Sequence, residues 1–220
     1  MINLMAINPW IKARIDGTRY NISRSIVNLL NTGNLNDSDI VDFIITMFNN
    51  AHYFGVPDGL RSVYVHGNAR YRHVYGYVMY IRRYGSVSIH VGVGRIKRDF
   101  GDCAAYWGWQ VLAHEIAHLV GVSGGHYLRH GSIHLSVAKY LLLESLPGGI
   151  ALPSIYYLLV DYLLGIECKR KYSRASNRFI INELNKLTNN HVIDVKHYID
   201  CSAVLRSVIK SCDRYLMGYI

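Results

Sequence analysis

A helix, then a group of strands, then further helices is the segregated order of an α+β fold, and three observations along this chain predict it. Residues 37–55 carry apolar side chains at helical spacing, residues 62–95 are rich in Val, Ile and Tyr broken by Gly and Arg, and helical patterning returns after residue 102. With 220 residues, half of them hydrophobic and 18% charged, the chain can bury a full core and does not have a disordered composition.

The first 36 residues are mixed, with a weak helical signal from Ser23 to Leu30. The segment DSDIVDFIITMFNNAHYFG opens on an Asp/Ser cap. Its residues Ile40, Phe43, Ile44, Met47, Phe48 and Ala51 line one helical face, and Gly55 and Pro57 end it. Three short strands follow in SVYVHG, YGYVMYI and SVSIHVGVG, expected to pair mainly antiparallel, with a hairpin turn at Arg82–Ser86. The strand around Ser86 to Val93 is expected at the sheet edge.

A basic loop, RIKRDFGD, then leads into CAAYWGWQVLAHEIAHLVG, a helix with Asp102 as its expected cap and Gly121 at its end. After a loop rich in Gly and His, SIHLSVAKYLLLESL reads as another helix, capped by Ser132 and closed by Pro147. The remainder reads as helical over roughly 154–167, 177–187 and 192–217. This divides the chain into an N-terminal segment (1–36), a core (37–150) and a helical C-terminal region packed on it (151–220).

Composition narrows the partners only partly. A formal charge of +9 suits an anionic partner, whether nucleic acid, an acidic protein face or a membrane surface. The basic segments RIKR (95–98) and KRKYSR (169–174) are short and read first as solvated surface, with nucleic-acid contact as the sharper alternative. Gly148–Ile166 is long and apolar, but Pro153 and Asp161 count against a membrane span. The amino terminus has too short an apolar run for a signal peptide, so a cytoplasmic location is expected. Cys103, Cys168, Cys201 and Cys212 form no C-x-x-C pair and are expected to be scattered thiols rather than a zinc ribbon.

The residues that carry chemistry lie in HEIAH. His114 and His118, four apart on a helix, project from one face one turn from each other, within reach of a single metal ion. Glu115, beside the first, can take a proton from metal-activated water as that water attacks a carbonyl, and can pass it to the departing amine. Eleven histidines raise the odds of a chance H-E-x-x-H, but the five residues fall within a helical run, as the motif requires. A catalytic zinc takes three protein ligands and leaves the fourth position to water. The third is to be found among His126, His130, His134 and Glu144.

Three resemblances bear on that choice. HEIAHLVG is similar to the metzincin signature, but position 124 is Gly where that pattern needs His, and no Met-turn follows. A better resemblance is to the SprT-like (Spartan-type) and WLM minimal proteases, zincin metallopeptidases in which H-E-x-x-H is followed by H-G-x-x-F opening the next helix. Here His130-Gly131-Ser132-Ile133-His134 stands in that place, with His134 at the aromatic position. That resemblance, over roughly residues 37–146, implies a zincin-like core, Zn2+ held by His114, His118 and His130, Glu115 as general base and acid, and a protein or peptide substrate. A gluzincin-like arrangement would instead use Glu144. Tyr127, Tyr140 and several arginines are candidates to stabilise an oxyanion. The competing expectation is a non-catalytic protein with a structural zinc, associated with nucleic acid or a membrane; a zincin-fold toxin or effector acting on one host protein is a third.

Overall fold

Alternation decides which face of the sheet is buried. In a computed structural model describing residues 9–68, 74–130, 132–155 and 157–158, five strands form one sheet. They are β1 (Trp10–Ile15), β2 (Thr18–Ser23), β3 (Ser62–His66), β4 (Gly76–Ile81) and β5 (Ser86–Val91). Tyr20, Ile22, Val63, Val65, Val87, Ile89 and Val91 all turn to the same side and are buried. Five helices lie wholly within the described residues: α1 (Arg24–Leu30), α2 (Asp37–His52), α3 (Val93–Phe100), α4 (Ala104–Ala117) and α5 (Ser132–Ser145). Ile26, Ile40, Ile44, Phe48, Ile96, Trp107, Trp109, Leu112 and Leu141 bring them into one core with the strands.

The α+β class stands, but the sheet has five strands rather than three, in the order β1-β2-β3-β5-β4. The two additional strands lie in the segment that read as mixed. Lys12, Arg14 and Arg19 point away from the core and interrupt the apolar count, while Ile11, Ala13, Tyr20 and Ile22 keep the period of two. Pairing also differs from the antiparallel expectation. β3 runs parallel to β2, with α1 and α2 forming the crossover between them, and parallel to β5, because β4 takes the edge beyond β5 and returns the chain; β1–β2 and β4–β5 alone are antiparallel. The hairpin turn at residues 82–86 is present, with Gly85 at φ +55°. β5 is therefore an inner strand, and β4 is the edge.

Local ends differ in similar ways. The cap of α2 is Asn36, which forms a reciprocal capping box with Asp39, rather than the Asp/Ser pair one residue on. RIKR is not a loop but part of α3, with Val93, Ile96 and Phe100 buried at helical spacing and the cations outside. Arg95 and Arg98 both pair with Asp99, whose one negative charge offsets one of the segment's three cations. Asp102 does not cap α4; it sits in a 3-10 turn (Gly101–Cys103) that feeds the helix. Cys103, the one cysteine among the described residues, is disulfide-bonded, which reverses the expectation of scattered thiols; spacing alone carries no information on such pairing. Residues 148–155 are helical. Among the described residues no helix is long and apolar enough to cross a membrane. The helices expected after residue 158 and the segment KRKYSR lie outside the described residues.

Candidate metal centre

The site grows from the end of α4. This helix is buried almost all round, with Trp107, Trp109, Leu112, Ala113 and Ile116 in the core, so its position is set by packing on several sides. Trp109 also donates its indole N–H to the Leu30 carbonyl at 3.0 Å. His114 lies in the last turn and His118 caps the helix. Gly121, at φ +83°, then turns the chain, and the loop brings Leu128 back so that its amide donates to the His118 carbonyl at 3.0 Å. That return places His130 over the two helix histidines, and α5 begins immediately beyond it.

Four histidines converge. His114, His118, His130 and His134 present ligand nitrogens that all lie within 4.8 Å of one another. The Nε2 atoms of His114 and His130 are 3.1 Å apart, and those of His118 and His114 are 3.2 Å apart. A tetrahedral ion with metal–nitrogen distances of ~2.0–2.1 Å needs its donors about 3.3–3.4 Å apart, so these spacings fit a metal. The His118 Nδ1 lies 2.6 Å from the Leu128 carbonyl, which can only accept. The proton therefore sits on Nδ1, and the Nε2 lone pair faces the cluster.

Burial, followed by the neighbouring imidazoles, holds His114 well below the usual imidazole range. His134 is pushed down to about 3, first by burial and then by His118. His118 is lowered too, chiefly by burial. Neutral rings are the form that ligates. Glu115, the residue after His114, has its carboxyl against Gly76 at the start of β4. It is 6% exposed, and burial raises its carboxyl to about 8. It makes no hydrogen bond or ion pair among the described residues. Gly76 makes room for it: a Cβ there would lie 2.7 Å from Val111 Cγ1 and 2.9 Å from Glu115 Oε1.

Of the four candidates for a third ligand, the fold brings His130 and His134 to the pair and leaves two out. His126 is exposed in the loop, and Glu144 is exposed near the end of α5; neither belongs to the cluster. The resemblance implies only His130 as the third ligand, although the spacing of His134 from His130 repeats that of His118 from His114. Tyr127 is committed elsewhere, its hydroxyl accepting from the Tyr80 backbone N–H of β4 at 2.8 Å. Tyr140 packs edge-on against Phe54. Beside the cluster is an open cavity of about 460 Å³ lined by Val120, Gly121, His126, Tyr127, Leu128, Arg129 and Ile133.

Compared with known proteins, the chain matches no family model, no curated protein and no solved structure. The resemblance to zincin peptidases thus rests on the residues themselves, and what is shown is a mixed α+β fold with a histidine group able to hold a metal ion.

Proposed function

We propose that this chain is a zinc-dependent metallopeptidase of zincin type, with His114, His118 and His130 binding Zn2+ and Glu115 acting as general base and acid. The observation that carries this reading is the convergence of neutral imidazoles at about tetrahedral spacing beside a buried, unpaired carboxylate. An all-nitrogen donor set suits zinc among the borderline metals. When bound, zinc polarises a carbonyl and brings the acidity of a coordinated water toward pH ~7. The chain's own residues supply the rest. Glu115 Oε1 and Oε2 receive the proton of the attacking water and return it to the leaving amine. Burial between α4 and Gly76 keeps that carboxylate a strong enough base to do so, and the cation would restore its charge.

A peptide fits this reading as substrate because β4 is a sheet edge next to the cluster. In the β4–β5 ladder, alternate residues point outward, and the Tyr80 N–H is one of these, which puts Val78 and Gly76 in the same outward set. An extended chain pairing there would pass the Glu115 end of the site. The test is Glu115→Gln: hydrolysis of an unstructured protein should fall about 10²–10⁴-fold, with zinc content unchanged. Undiminished activity in that variant, or activity insensitive to a chelator in the parent, would remove the assignment.

One observation favours a second reading, a non-catalytic protein with a structural zinc. Four histidines, rather than three, are within reach of one ion, and structural sites are closed by four protein ligands. Such a protein would unfold on metal removal and show no hydrolysis to lose.

A further inference from the structure

His134 is the residue that the proposed triad leaves unused. It is 3% exposed, sits in the first turn of α5, and packs its ring 4.2 Å from that of His118 and 4.4 Å from that of His114. Its Nε2 is 3.0 Å from the carbonyl of His114. A carbonyl only accepts, so Nε2 carries the proton and Nδ1 keeps the lone pair. His118 shows the mirror arrangement, with Nδ1–H held by the Leu128 carbonyl and Nε2 left for the ion. A ring N–H fixed on a carbonyl, in a histidine that also offers a ligand atom within 4.8 Å of those of its neighbours, is the outer-shell pattern of a metal-ligating histidine. Both His118 and His134 carry it.

We propose that His134 is a fourth metal ligand, bound through Nδ1, and that the exposed His130 of the loop is the ligand that yields its place to an incoming molecule. This rests on the metal-centre reading above and revises it at one position: His134 joins the resting shell, and His130 is the member of the triad that leaves when the site opens. Three of the four imidazoles are set by helices: His114 in the last turn of α4, His118 at its cap, His134 in α5. That last helix is anchored by the buried Val137, Ala138, Leu141 and Leu142. His130 is solvent-exposed and precedes α5. A shell of four protein nitrogens leaves no position for water, so a hydrolase with this set must release one. The least costly to release is the one whose movement disturbs no helix. The resting site is therefore latent, and it opens when the loop carrying His130 moves.

The test loads the full chain with Co2+ and counts the strongly shifted, solvent-exchangeable imidazole N–H resonances by NMR. Four signals are expected in the parent, and three in His134→Gln, with metal affinity lower by roughly 10–100-fold. His130→Gln should also show three, with a smaller loss of affinity and with azide binding to the cobalt more tightly than in the parent. Three signals in the parent would overturn the proposal without any variant, so a His134 substitution that fails to fold does not protect it. A larger affinity loss in His130→Gln than in His134→Gln would overturn the release of His130. Hydrolysis by a parent with three signals would sink this inference and leave the peptidase reading standing. Four signals with no hydrolysis under any condition would do the reverse. No cobalt binding would end both.

Discussion

Two groups of histidines lie on this fold, and they differ in how their rings face one another. On the outer side of the sheet, His66 of β3 and His90 of β5 stack at 4.2 Å with planes 2° apart, and Tyr77 continues the column at 4.4 Å and 9°. At the α4–α5 end, the rings of His114, His118, His130 and His134 are comparably close, 4.2–5.3 Å, but cross at angles from 36° to 90°. Imidazole lone pairs lie in the ring plane. Parallel plates aim theirs along separate planes that never meet, whereas crossed rings send them to a common point. Cross-strand register builds the first kind, since it places His66 opposite His90. Helix spacing with a returning loop builds the second. Convergence of nitrogens, not the number of histidines in contact, distinguishes a place for a metal.

The sharpest way to break that comparison is to remove one histidine from each group. Zinc at about a hundredfold excess over its dissociation constant stabilises a chain that binds it when folded by about 2.7 kcal/mol. That gain, read as a zinc-dependent rise in the unfolding temperature, should vanish in His114→Ala and His118→Ala and persist in His66→Ala and His90→Ala. An equal loss from both groups would mean that ring crossing does not select the metal site.

Glu115→Gln, already described, asks whether the crossed group is also a reaction centre. Its companion is Gly76→Ala. The added methyl would press on Val111 Cγ1 and Glu115 Oε1, so overpacking should cost about 1–3 kcal/mol in chemical denaturation. Hydrolysis should fall further than stability, because the carboxylate is displaced, while zinc-induced stabilisation stays near the parent value. If Gly76→Ala lowers zinc binding instead, Glu115 and the histidines form one unit rather than two.

The same contrast explains what was legible in the sequence. Helix-borne chemistry could be read directly: H-E-x-x-H on a long apolar run placed His114, Glu115 and His118, and the H-G start of the next helix pointed to His130. The fourth histidine was written just as plainly. The resemblance does not point to it, because His134 stands where the related pattern has an aromatic residue, and spacing cannot show that its Nε2 will meet the His114 carbonyl. Sheet-borne information was harder. β1 and β2 are joined at Asp16–Gly17, both at positive φ, an Asp-Gly pair of the kind that marks a two-residue hairpin. The cations around it hid that signal. Parallel pairing of β3 was beyond local reading altogether, since it depends on where a crossover of two helices returns the chain beside β2 and on β4 taking the edge beyond β5.

The outer column can be tested by its own chemistry, with a smaller effect. His66 is held below the ordinary imidazole value of 6.5, first by burial and then by His90 beside it. A histidine depressed in the folded state takes up its proton more readily when unfolded. The stability it lends is complete above 6.5 and declines as the pH falls toward its lowered folded value. His66→Phe keeps a ring against Trp10, Tyr64 and His90 but cannot be protonated. The variant's unfolding free energy should therefore fall less steeply than the parent's as the pH drops below 6.5. The comparison is made by difference because the α4–α5 histidines bend both curves in the same direction. Equal slopes would show that the proton is taken up elsewhere, and that His66 and His90 are held together by packing alone.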